Sequence, residues 1–182
     1  MPARTALAAP RAAALSMLLA LAACTPTYNW RELRLGGPML ALLPCKPELR
    51  SRSVPLAGQP VSLTVAACEA GGLHWGVSVA QVRQPQQAGP ALAALESALA
   101  GNLGGAARAA GPVPVAGQTP HPQARHALIE GRDPSGAPLT ARSWVWAHGN
   151  WVAQASVLGR GQPTAAQQEA IAAFVAGLRI AP

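Results

Sequence analysis

The chain has 182 residues, 14 Lys plus Arg against 7 Asp plus Glu, and a composition that is 50% hydrophobic but only 12% charged. That apolar share excludes a disordered polyelectrolyte, and the length suits one domain. The arginines are scattered from Arg31 to Arg179 without a cluster of four to eight, which excludes a nucleic-acid-binding face.

The first element is an address. Arg4 and Arg11 precede an uncharged apolar run, Ala12 to Ala23, which ends in Leu21-Ala22-Ala23-Cys24. Positive, apolar and small residues in that order are the layout of a secretory signal. Twelve residues rise only about 18 Å as a helix, short of the roughly 30 Å of a hydrocarbon core, so a cleaved signal is favoured over a spanning helix. Leu21-Ala22-Ala23-Cys24 resembles the lipobox of bacterial lipoproteins; a plain signal with Cys24 an ordinary thiol is the alternative. The resemblance implies a lipid thioether on Cys24, residues 1–23 as signal peptide and residues 24–38 as a lipidated tether. Several acyl chains hold a protein stably on a membrane without crossing it. Thr25 stands where an inner-membrane retention signal would have Asp, so the periplasmic face of the outer membrane is favoured. Loss of Arg4 and Arg11 with the signal leaves 12 basic against 7 acidic residues, a charge of +5.

With Cys24 lipidated, Cys45 and Cys68 remain as an even pair in an oxidising compartment. A disulfide is the favoured reading, two buried thiols or a metal pair the alternatives. A metal would need further ligands, and none stand near in sequence.

Thr25 to Pro38 holds Pro26, Gly36, Gly37 and Pro38 and reads as the tether, with a short strand through Trp30 to Leu35 as an option. The domain is expected over residues 39–182. Leu40 to Leu43 is a short buried strand closed by Pro44-Cys45-Lys46-Pro47, and Arg50 to Leu56 returns before the turn Ala57 to Pro60. Strict alternation follows over Val61 to Cys68 and, after Gly71-Gly72, over Leu73 to Ala80, predicting three or four antiparallel strands. The period then lengthens: Leu92, Leu95, Leu99 and Leu103 fall at helical spacing, with Pro90 near the start and Gly101, Gly104 and Gly105 at the end. Gly111 to Pro122 is a proline-rich connection. Arg125 to Gly131, Leu139 to Ala147 and Trp151 to Leu158 read as three more strands. Thr164 with Gln167 forms a capping box for a last helix striped by Ile171, Phe174, Val175 and Leu178. Strands, helix, strands, helix argue for an α+β fold: an antiparallel sheet in two strand blocks with two packed helices.

The proline-bracketed Leu43-Pro44-Cys45-Lys46-Pro47, the strand block, the leucine-striped helix, the three-strand meander and the closing Phe174 to Ile180 together resemble the PsbP-like α/β/α sandwich. That resemblance covers roughly residues 39–182 and implies a fold, with layers on both sheet faces. It carries no functional residue, and Cys45 departs from the pattern, where glycine is commoner.

No P-loop, dinucleotide, zincin or nucleophile-elbow fingerprint occurs, so no cofactor, metal or catalytic residue is expected. The four histidines, His74, His121, His126 and His148, are read as structural, because the carboxylates Glu69, Glu96, Glu130, Asp133 and Glu169 are dispersed. The densest aromatic group is Trp144, Trp146 and Trp151 around His148-Gly149-Asn150. A three-residue loop there pairs Ala147 with Trp151, puts Arg142, Trp144 and Trp146 on one face, and leaves Ser143, Val145, Ala147, Trp151, Ala153 and Val157 to accept a helix. Arg142, Trp144 and Trp146 are either a partner surface or a covered core, and burial is favoured. The functional expectation is a lipid-anchored periplasmic accessory or binding module of the cell envelope, held on the membrane and contacting an envelope partner without turnover. A small hydrolase or metal-handling protein using the histidines, and a passive structural lipoprotein, are the alternatives.

Overall fold

The structure, a computed structural model, describes residues 26–182; the segment expected to be a signal peptide, and Cys24 with its expected lipid, lie outside the described residues. The chain order is β1 (Arg31–Gly36), β2 (Met39–Leu43), β3 (Glu48–Leu56), β4 (Gln59–Ala70), β5 (Leu73–Gln81), a short 3-10 turn (Pro85–Gln87), α1 (Ala88–Asn102), β6 (Ala106–Gly111), β7 (Arg125–Arg132), β8 (Pro138–His148), β9 (Trp151–Gly159), α2 (Ala165–Ala176) and β10 (Arg179–Ile180). The fold is α+β with two antiparallel sheets and two helices. One sheet has seven strands in the order β3-β4-β5-β9-β8-β7-β6, and the other has three, β1-β2-β10.

The large sheet is buried on both sides where the helices lie. One core gathers Trp75, Val77, Val79, Trp144, Trp146, Ala155 and Val157 under α2 (through Ala170, Ile171 and Phe174) and under Met39, Ala41 and Leu43 of the small sheet. The opposite core joins Leu63, Ala80, Val145, Ala147 and Val152 to Ala88, Ala91, Leu92 and Leu95 of α1. The two alternating strands thus serve different layers: Val61 and Leu63 of β4 face α1, whereas Leu73, Trp75, Val77 and Val79 of β5 face α2. Each large side chain fully buried in this way contributes roughly 1.5–3 kcal/mol. The capping box at α2 forms as the sequence predicts, with Thr164 accepting from the Gln167 amide at 3.3 Å and Gln167 Oε1 accepting from the Thr164 amide at 2.9 Å.

Several expectations change. Leu40 to Leu43 is not part of the first meander; β2 pairs with β1 and β10 in the separate small sheet. Within residues 24–38 the optional strand through Trp30 to Leu35 forms, as β1, and Tyr28 already packs edge-on against Trp75 with ring centroids 6.4 Å apart. Folding therefore begins well before Met39. Gly71 makes room for that ring, for it sits at φ 61° where a Cβ would run into the Tyr28 side chain. Ala106-Ala107-Arg108-Ala109-Ala110 carries no alternation that would announce a strand; pairing with β7 makes it β6. The β8–β9 turn has two residues rather than three. His148 pairs with Trp151 around Gly149 (φ 58°) and Asn150, a glycine-first hairpin turn. This one-residue slip moves Trp151, Ala153 and Val157 onto the Trp144 face, and Val152, Gln154 and Ser156 accompany Val145 and Ser143 on the other.

Candidate functional site

The α1 side of the large sheet is only half covered. Adjacent rows of its residues, read across β3, β4, β5 and β9, are Arg50-Val65-Ser78-Gln154, Glu48-Ala67-Gly76-Ser156 and Glu69-His74-Leu158. α1 crosses β8 and β9 and continues over Ile129 and Ala141 with Ala100 and Leu103, so the β3–β5 end of these rows has no layer above it. The uncovered sheet face there is built of small residues, Ala67, Gly76 and Ser78, and at its edge lies a trough of about 650 Å³ lined by Val65, Ala67, Glu69 and His74 and rimmed by Lys46, Arg50 and Arg52. A second recess of about 590 Å³ continues past His74 toward Leu158, Leu139 and Arg160.

Charge in the trough is partly matched. Arg50 meets Glu48 at 2.8 Å and His74 Nδ1 meets Glu69 at 2.9 Å, all four side chains being largely exposed. Lys46 and Arg52 have no ion-pair partner among the described residues, so the rim is net positive. β3 is also an edge strand whose outer backbone groups face solvent, and its arginines with Pro55 are the residues that discourage edge-to-edge aggregation. Next to the trough, Cys45 and Cys68 form the expected disulfide with Cα atoms 6.0 Å apart, tying the segment before β3 to β4.

The histidines are not gathered. His74 lies in the trough; His121 Nδ1 accepts from the Gln123 amide at 3.0 Å; His148 Nδ1 is 2.8 Å from the Gly117 carbonyl. His126 stacks on Trp144 with ring centroids 4.8 Å apart and an interplanar angle of 8°. Burial, and secondarily the charge of Arg142, push its pKa below the ordinary value. Ser156 Oγ lies over Gly76 on the same sheet face, yet no hydrogen bond joins it to His74. Among the described residues no three His, Cys, Asp or Glu side chains form a group that could hold a metal ion.

Two polar contacts, one partly and one fully buried, brace the scaffold. Arg125 Nε donates to Glu96 Oε2 at 3.0 Å and its Nη2 bonds the other oxygen, joining α1 to β7; the pairing raises the Arg125 pKa. Gln154 Nε2 donates to Ser143 Oγ at 2.9 Å beneath α1. At the β7–β8 turn, Asp133 is held well below the usual carboxylate range by Ser135, Arg160 and backbone amides.

Trp144 and Trp146 are 4% and 0% exposed, so the indoles offer no partner surface and Arg142 alone of that trio reaches a recess. The basic rim went unnoticed in the sequence. Its signal was the i, i+2 spacing of Arg50 and Arg52 on a strand whose neighbour alternates valine and leucine. Compared with family models, curated proteins and solved structures, the chain matches none.

Proposed function

We propose that the chain is a lipid-anchored accessory module of the bacterial cell envelope, attached through Cys24 on the periplasmic side, with the outer membrane favoured, and that it binds an acidic envelope partner in the trough without turnover. The uncovered half of the sheet carries this reading. A protein normally covers such a face, and here small floor residues and an unmatched Lys46 and Arg52 invite a chain of opposite charge. The disulfide supports an oxidising compartment. Asn29 donates to the Pro44 carbonyl at 2.7 Å, so only a few residues separate Cys24 from the folded unit, at most about 3.5 Å each. A domain leashed this closely meets partners at the membrane surface. We assign the layered α+β fold to the PsbP-like α/β/α sandwich on the same terms.

The test uses the full chain in a diderm host. Fatty-acid labelling should mark it, and Cys24→Ala should abolish the label. A photo-cross-linker at Ala67 should trap one acidic envelope protein, and Lys46→Glu with Arg52→Glu should release it. An unlabelled wild-type chain would sink the anchor; cross-links unaffected by the charge reversal would sink the trough. One observation favours a second reading, a hydrolase, because the Glu69–His74 pair lines the trough and Ser156 lies on the same sheet face, in the adjacent row. Ester hydrolysis lost in His74→Ala would establish it.

A further inference from the structure

The α2 side of the sheet has its own recess, at the end of β8 away from the turn. Two polar side chains follow the buried tryptophans along the same side of that strand: Arg142, then Thr140. Arg142 lies opposite Leu128 and Val157, and Thr140 opposite Glu130 and Gly159. Arg108 joins them by pairing with Leu128. These residues, with Gln162 and Gln167 ahead of and within the first turn of α2, line a recess of about 180 Å³.

Its charges are unevenly matched. Arg160 is committed to Asp133, and Arg108 stands 3.7 Å from Glu130, a carboxylate that is 80% exposed and therefore well screened. Gln167 Nε2 is spent on the Gly71 carbonyl. Arg142 and Thr140 have no hydrogen-bond or ion-pair partner among the described residues. Arg142 is half-buried between the strand neighbours Leu128 and Val157, so apolar positions flank its stem while its fork of donors stays uncommitted.

We propose that this recess binds a single phosphate group. Its volume lies below the roughly 300–1,000 Å³ of pockets for drug-sized ligands, so it suits one small headgroup. Arginine's planar fork matches phosphate oxygens, and a hydroxyl donor stands two residues along the same strand. Donors at three positions, Arg108, Thr140 and Arg142, suit the three free oxygens of a phosphate monoester better than the two of a carboxylate. Glu130 is the opposing element, and its pairing with Arg108 loosens as phosphate enters. The source is either free phosphate or the phosphomonoester headgroup of an envelope lipid.

The full chain is titrated with inorganic phosphate at constant ionic strength, chloride making the balance, by calorimetry and thermal denaturation. One saturable site is expected. Arg142→Gln should weaken it by about tenfold or more, as loss of a charge-assisted hydrogen bond does. Arg142→Lys should weaken it too, keeping charge but losing the fork, whereas Arg52→Gln in the trough should bind as the wild type does. Thr140→Val is the second variant should Arg142→Gln fail to fold. Sedimentation with phosphatidic acid vesicles, which present a phosphate monoester, against phosphatidylcholine vesicles separates the sources: Arg142-dependent binding to the monoester vesicles supports lipid phosphate, and its absence beside tight inorganic phosphate binding supports the free ion. No saturable phosphate binding, or equal binding by folded Arg142→Gln and Thr140→Val, would overturn the site.

Discussion

The two faces of the seven-stranded sheet share their strands and differ in cover. On the α2 side, a helix, the small sheet and the segment carrying Val113 and Val115 close over four large aromatic side chains, Trp75, Trp144, Trp146 and Phe174. On the α1 side a single helix covers β8, β9 and the Leu56, Val61, Leu63 and Ala80 end of β3 to β5, and the other end of those three strands keeps small residues in the open. Large aromatics need a thick layer to bury them, and a floor of Ala, Gly and Ser needs none. Stability is therefore concentrated on one face, and room for a partner is left on the other.

The sharpest way to break this comparison is to substitute on each side. Trp146→Ala should cost about 3–5 kcal/mol in urea denaturation, the range for losing a core aromatic. Its Nε1 is buried without a partner, so Trp146→Phe removes an orphaned donor and should cost far less. Ala67→Ser in the trough should stay within about 0.5 kcal/mol of wild type. Equal costs for Trp146→Ala and Ala67→Ser would erase the distinction between the faces.

The disulfide comes next, because it packs against the covered core while bordering the open trough. Closing a loop with a sequence separation of 23 is worth about 3 kcal/mol on the chain-entropy model. Reduction should lower the thermal midpoint accordingly, and neither thiol should alkylate in the denatured, unreduced chain. Smaller again is the Glu96–Arg125 pair, which pins the α1 layer. Glu96 is 4% exposed, but the Arg125 side chain keeps 38% of its surface, so water takes up part of the loss. Glu96→Ala should cost about 1–2 kcal/mol, and Glu96→Gln less.

Periodicity located both helices and the strands from β3 to β5 and β7 to β9, because each of these must bury a stripe. It could not locate what depends on another element. β6 is a strand only because β7 pairs with it, and its run of alanines has no face to read. Leu40 to Leu43 looks the same in either sheet, and β10, two residues long, settles the matter by joining it. His148-Gly149-Asn150 marks a turn without fixing its length, and two loop residues in place of the expected three put Trp151 on the opposite face, where its ring packs closely on Gly36 and Gly37. For the candidate site, the disulfide partners were legible from their number. The trough was not, since an uncovered face is a property of where α1 ends.

The smallest expected effect concerns pH and belongs to the covered face alone. His126 lies flat on Trp144, its Nε2 buried without a partner, and burial together with Arg142 lowers its pKa from 6.5. A histidine with a lowered folded-state pKa takes up its proton more readily when unfolded. Its contribution is therefore fully present above the unfolded value of about 6.5, and is lost as pH falls from there through the folded value, below which both states are protonated and no further loss occurs. His126→Phe keeps a ring on Trp144 and removes the proton, leaving the carboxylates and the other three histidines unchanged. Urea midpoints measured from neutral pH downward should fall more steeply for wild type than for His126→Phe, with the curves separating just below pH 6.5. Parallel curves would mean that the ring is hydrated when protonated, and that the cover over this face is thinner at β7 than the stacked geometry indicates.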